Sequence, residues 1–154
     1  MTQRQAPQTR ALFPVIRKMP TPWADNDSYG HINNVMYYAY FDTVVNTWLM
    51  EQGVLRPLEA GAEIIGLVVE TQCRYFASAQ FPDVLEIGLR VAHIGNSSVR
   101  YELAVFRNDH NVATAQGHFV HVYVDSSGRR PVNGLPKALL ETLTKLEPPV
   151  KQTN

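Results

Sequence analysis

The chain has 154 residues, enough for one domain with a sizeable core, and 45% of them are hydrophobic. Its 14 basic residues balance its 14 acidic ones, which argues against general electrostatic attraction to nucleic acid or to an anionic bilayer. No apolar run approaches the roughly 20 residues of a membrane-spanning helix.

Met1 to Leu12 is polar and reads as a flexible tail, without the apolar stretch of about 7–15 residues that a secretory signal needs. The single cysteine, Cys73, cannot close an internal disulfide, so a cytoplasmic location is expected. Phe13 to Met19 is a short, partly alternating apolar run and predicts a first strand. From Asp25 to Gly30 the residues are those of a turn, and Asn33 reads as a helix N-cap.

Asn34 to Gly53 is the main predicted helix. Tyr37, Tyr38, Phe41, Val44, Val45, Trp48 and Leu49 recur at helical spacing on one broad face, and Gly53 is a natural stop. Four strands follow, over Val68–Phe76, Val84–Ile94, Ser98–Arg107 and Val112–Val124. Gly95-Asn96-Ser97 and Asn108 to Asn111 are short enough for hairpin turns, so a meander-like antiparallel sheet is expected. A second helix, from Leu135 or Pro136 to Leu146, would turn Leu139, Leu140, Leu143 and Leu146 inward. Residues 147–154 read as a C-terminal tail, leaving one α+β domain over 13–146.

The chemistry is concentrated in the loop before the long helix. Asp25, Asp27, His31, Asn33 and Asn34 fall within ten residues of a helix start, whose backbone N–H groups are unpaired and whose dipole is positive. A carboxylate base or nucleophile and an oxyanion site can be assembled from such parts. The plainer reading of an Asp here is a turn or capping residue, and Asp25 is taken as orienting the loop.

This stretch resembles the signature of the 4-hydroxybenzoyl-CoA thioesterase-like group of acyl-CoA thioesterases. In that group a D-x-D loop leads into G-H-V-N-N and an aromatic-rich helix. Here the residues are Asp25-Asn26-Asp27, Gly30-His31-Ile32-Asn33-Asn34 and Tyr37. The resemblance implies a hotdog fold, with an antiparallel sheet of about five strands wrapped around a long central helix, spanning roughly Phe13 to Leu146. It implies an acyl-CoA thioesterase that forms free acid and coenzyme A, with Asp27 as nucleophile or general base. The Asn34 N–H would then polarise the thioester carbonyl, and His31 would either brace the loop or touch the reacting group. Tyr29, Gly30 and Asn33 would line the substrate site. Plant acyl-ACP relatives carry an asparagine where Tyr29 stands, a departure from their three-residue arrangement. Ser98, Arg129 and Arg130 are further candidates for holding substrate, the arginines through coenzyme A phosphates.

No cofactor is expected and no metal: His118 and His121 are three apart on a strand and face opposite ways, and no ligand motif is present. Cys73 and Ser97-Ser98 lack the surroundings of a nucleophile. A sheet with open edges predicts a homodimer or homotetramer with its site between subunits. Two alternatives are a hotdog-fold acyl-thioester dehydratase or hydratase, with His31 as base, and a non-catalytic acyl-CoA-binding module.

Overall fold

The computed structural model of the protein describes residues 5–55 and 62–148. Five strands form one antiparallel sheet: β1 (Val15–Pro20), β2 (Ile64–Tyr75), β3 (Val84–Ile94), β4 (Ser98–Arg107) and β5 (Ala115–Asp125). Helix α1 (Met36–Glu51) lies between β1 and β2 in the chain, and the short α2 (Lys137–Leu143) follows β5. The architecture is α+β. Spatial order is β1-β3-β4-β5-β2. Only β3, β4 and β5 form the expected meander; β2 crosses to the far edge beside β5, and β1 takes the edge beside β3.

One face of the sheet carries the core. Leu85, Ile87 and Leu89 of β3 and Val99, Leu103 and Val105 of β4 are all buried there with Phe41 and Val45 of α1. The Phe41 ring meets Phe119 of β5 edge-on at 6.3 Å. Gly117 makes this approach possible, because a Cβ there would stand 2.2 Å from the Gln72 carbonyl oxygen and 2.7 Å from the Phe41 ring.

The helix differs from its sequence reading at its start. It begins at Met36 rather than Asn34, and Asn33 is not its N-cap. The Met36 N–H donates to the Asn33 carbonyl and the Tyr37 N–H to that of Asn34, a tighter turn that precedes the helix proper. Tyr40 replaces Tyr38 among the buried aromatics, since its hydroxyl has a partner in the loop. At the far end Gly53, at φ +75°, closes the helix as expected, with Gly53 N–H on the Met50 carbonyl and Val54 N–H on that of Leu49.

The strands of the central hairpins match their predicted bounds, while the outer ones shift. β2 begins at Ile64 instead of Val68, and a bulge between Val68 and Glu70 shifts the register, so that these two residues stand opposite the adjacent His121 and Val120. β5 starts at Ala115, because Val112 bridges to Thr9 instead. Leu140 is exposed, whereas Leu139, Leu143 and Leu146 are buried as expected. Residues 5–12 of the expected tail lie against the domain: Arg10 pairs with Glu86 at 3.3 Å, and the Gln8 carbonyl accepts from Ala113 N–H. Of the expected C-terminal tail, residues 149–154 lie outside the described residues. No helix of the described residues is long and apolar enough to cross a membrane.

Candidate active site

Asn26 and Ile32 form an isolated antiparallel bridge, so residues 27–31 are the tip of a miniature hairpin. The Asp27 N–H donates to the His31 carbonyl at 2.7 Å, and the Gly30 N–H to the Asp27 carbonyl at 3.1 Å. Gly30 sits at φ +79°, a conformation that explains glycine at this point of the turn. The hairpin is fastened to the segment before β3. Ile32 N–H donates to the Ala79 carbonyl at 2.8 Å, and Phe81 N–H to Asn26 Oδ1 at 3.1 Å.

Asp27 is half-buried. Its Oδ1 accepts from the Tyr29 N–H at 2.8 Å and from the His31 N–H at 3.3 Å. Among the described residues no donor engages Oδ2. One oxygen of Asp27 therefore shapes the turn, while the other is uncommitted among the described residues.

Asp25 anchors the exit of the loop. Its carbonyl accepts from Asn33 N–H at 2.9 Å, and its Oδ2 from the Tyr40 hydroxyl at 2.6 Å. Burial, then the carboxylate of Asp25, pushes the Tyr40 hydroxyl well above the usual phenol range, so it stays a donor. Asn33 Oδ1 takes the Val35 N–H at 3.3 Å. The Asn34 N–H has no acceptor among the described residues, while the Asn34 carbonyl accepts from the Tyr75 hydroxyl at 2.7 Å. His31 contributes its backbone to the turn; its ring is exposed and makes no hydrogen bond among the described residues. Tyr29 is 84% exposed.

Asp27, Tyr29, Gly30, His31, Asn33 and Asn34 are thus gathered in one place. Ser98, Arg129 and Arg130 are not with them. Tyr75, which reaches Asn34, pairs with Ala115 at one end of β5, whereas Ile64 pairs with Asp125 at the other. Ser98 pairs with Val122, and the Arg129 N–H donates to the Asp125 carbonyl, so all three belong to that second end. The length of β5 separates the ends by about 33 Å at ~3.3 Å per residue. Arg129 and Arg130 are exposed and make no side-chain ion pair among the described residues.

Sequence reading missed Tyr40 and Tyr75. Alternation places Tyr75 on the helix-facing side of β2, but its partner lies 41 residues earlier, beyond any local pattern. Cys73 is held by burial at a raised pKa of about 11, which keeps it a thiol. His118 and His121 do face opposite ways. His118 Nε2 lies 2.6 Å from Glu70, and its Nδ1 lies 3.2 Å from the Arg100 guanidinium. His121 packs at 5.1 Å from the Tyr101 ring on the core side. Among the described residues no group of three His, Cys, Asp or Glu side chains is arranged to hold a metal ion.

Residues 21–143 match the model of the thioesterase-like superfamily, and the chain belongs to that family. A crystal structure of a protein from Pseudomonas aeruginosa strain PAO1 is 48% identical, covering 94% of this chain and 99% of that one, with a TM-score of 0.87. The 1,4-dihydroxy-2-naphthoyl-CoA thioesterase of Synechocystis is similar in fold, at 16% identity, 85% and 96% coverage and a TM-score of 0.77. So is the DHNA-CoA thioesterase of Staphylococcus aureus, at 17% identity, 77% and 78% coverage and a TM-score of 0.69.

Proposed function

We propose that the protein is an acyl-CoA thioesterase that hydrolyses a thioester to free acid and coenzyme A, with Asp27 as its catalytic carboxylate. The observation that carries this reading is the pairing, on one short loop, of an uncommitted carboxylate oxygen with the unpaired Asn34 N–H. Asp27 Oδ2 either attacks the thioester carbon, giving a mixed anhydride that water then hydrolyses to the free acid and the restored carboxylate, or removes a proton from the attacking water. The Asn34 N–H donates to the carbonyl oxygen as charge builds on it. Coenzyme A leaves as a thiolate, and an ordinary thiol has a pKa of about 8.5, so its departure near neutral pH needs no strong general acid. The exposed His31 ring is free to contact the departing or attacking group.

The hotdog arrangement, with the sheet curling around α1, leaves β2 as an open edge. Val69 on that edge is 61% exposed and Val68 48%. A second copy adding its own β2 antiparallel to this one would exchange the two ends of the strand. Ser98, Arg129 and Arg130 of the second copy would then approach the Asp27 end of the first, bringing cations for the coenzyme A phosphates to the loop. The working unit is therefore a homodimer or a dimer of dimers, with each site shared. Residues 27–34 do not line the polar hollow formed by Gln72, Arg74, Arg100 and Glu102 or the apolar one formed by Val54, Ile64, Tyr123 and Leu139.

The deciding experiment is thiol release from saturated acyl-CoAs of varied length and aromaticity, with sedimentation to give the particle mass. Release that disappears in Asp27→Asn, from a particle of at least two chains, is the expected result. Binding of acyl-CoA without thiol release, or a monomer at full activity, overturns the reading.

A further inference from the structure

From the Tyr75 geometry we infer that this residue is a positioning residue for the oxyanion donor: its hydroxyl, reaching across from β2, fixes the peptide that follows the Asn34 N–H. The inference rests on the thioesterase reading above.

Two peptide planes flank the Asn34 Cα. The plane that carries the Asn34 N–H is held on its carbonyl side by the Met36 N–H, at 2.9 Å from Asn33 O. The plane that carries the Asn34 carbonyl is held by the Val35 N–H on Asn33 Oδ1 at 3.3 Å and by the Tyr75 hydroxyl at 2.7 Å. The Tyr37 N–H also approaches that carbonyl, but at a long 3.4 Å. Every lock except Tyr75 comes from within four residues of Asn34. The Ile32 N–H on the Ala79 carbonyl fastens the loop two residues upstream, but among the bonds to these two planes only that of Tyr75 reaches the sheet.

The tyrosine is itself well placed to hold still. Its ring meets the buried Tyr37 ring edge-on at 5.1 Å and 90°. Burial and the neighbouring Cys73 thiol raise its hydroxyl above the ordinary phenol range, so the donor proton is kept throughout neutral and mildly alkaline pH. Because Tyr75 is 41% exposed and Asn34 is exposed, water can satisfy the carbonyl when the hydroxyl is removed. Loss of the bond should therefore loosen the direction of the donor without unfolding the protein.

Tyr75→Phe keeps the ring against Tyr37 and removes only the hydroxyl. On the acyl-CoA that the wild type turns over best, we expect kcat to fall about 3- to 10-fold, the range of one neutral hydrogen bond. The KM should stay within about 2-fold. The melting temperature should change by less than about 2 °C. An unchanged kcat overturns the inference, as does a KM that rises in step with a fallen melting temperature, the mark of a merely structural residue. If the wild type releases no thiol from any acyl-CoA, the thioesterase reading falls and takes this one with it. An active wild type, an inert Asp27→Asn and an unaffected Tyr75→Phe would remove the tyrosine alone.

Discussion

The two ends of the sheet are built differently. At one, Asp27, His31 and Asn34 stand on a loop whose shape comes from hydrogen bonds within itself and to Asp25, Ala79 and Phe81. At the other, Ser98 opens a strand after a tight hairpin, while Arg129 and Arg130 project from a turn organised around the Asp125 carboxylate. The first end has an acceptor, a donor and fixed geometry, with the Arg74 guanidinium bonded to Gln5 Oε1 at 3.3 Å. The second has two guanidinium groups that make no ion pair among the described residues. One chain keeps the two a strand's length apart.

The largest effect is expected at the loop end. Asp27→Asn retains an oxygen for the Tyr29 and His31 N–H groups but removes the charge, so thiol release should fall by about 10²- to 10⁴-fold with folding intact. Wild-type rates in a folded Asp27→Asn protein would leave the loop a scaffold only. Between the ends, Gly117→Ala should cost about 1–3 kcal/mol of stability or more, because its methyl meets backbone on one side and Phe41 on the other. Urea unfolding would register this as a lower midpoint with a similar slope.

The arginine end is tested through KM. Replacing Arg129 and Arg130 together by Ala should raise KM about 2- to 10-fold for an exposed charge contact, leave kcat in place, and matter less as salt rises. A mixed dimer, with Asp27→Asn in one subunit and the double alanine in the other, sharpens the point. If the two ends serve each other across subunits, that mixture confines both defects to one site and leaves the other intact.

The smallest effect concerns acid stability near the second end. Burial holds the His121 pKa below its usual 6.5, against an opposing pull from Asp42, and its Nε2 has no partner among the described residues. The unfolded chain takes up a proton near pH 6.5 that the folded chain resists. Stability from the neutral ring is therefore full above that pH and declines below it. His121→Leu should shrink the drop in melting temperature between pH 7.5 and 5.5; an unchanged drop would place the acid sensitivity elsewhere.

Local signals were readable in the sequence where the interaction itself is local. The hairpins from β3 to β5 follow from alternation and turn residues, and the stop at Gly53 from glycine's tolerance of positive φ. The loop could be singled out because its donors and acceptors lie within a dozen residues. Tyr40 goes unread and Leu140 is misplaced because each lies at the border of a helical face, where the hydrophobic pattern is ambiguous; the Tyr40 hydroxyl finds its partner 15 residues away in Asp25.

By itself the sequence determined an α+β domain, its central strands, and the identity of the carboxylate loop, because side-chain period and turn chemistry act over a few residues. Only the tertiary structure decided that β2 crosses to the far edge and that Tyr75 grips the start of α1. It alone also set the arginine turn a strand's length from Asp27. Those outcomes depend on contacts between segments far apart in the chain, which are selected by how whole faces pack and leave no periodic trace in either segment.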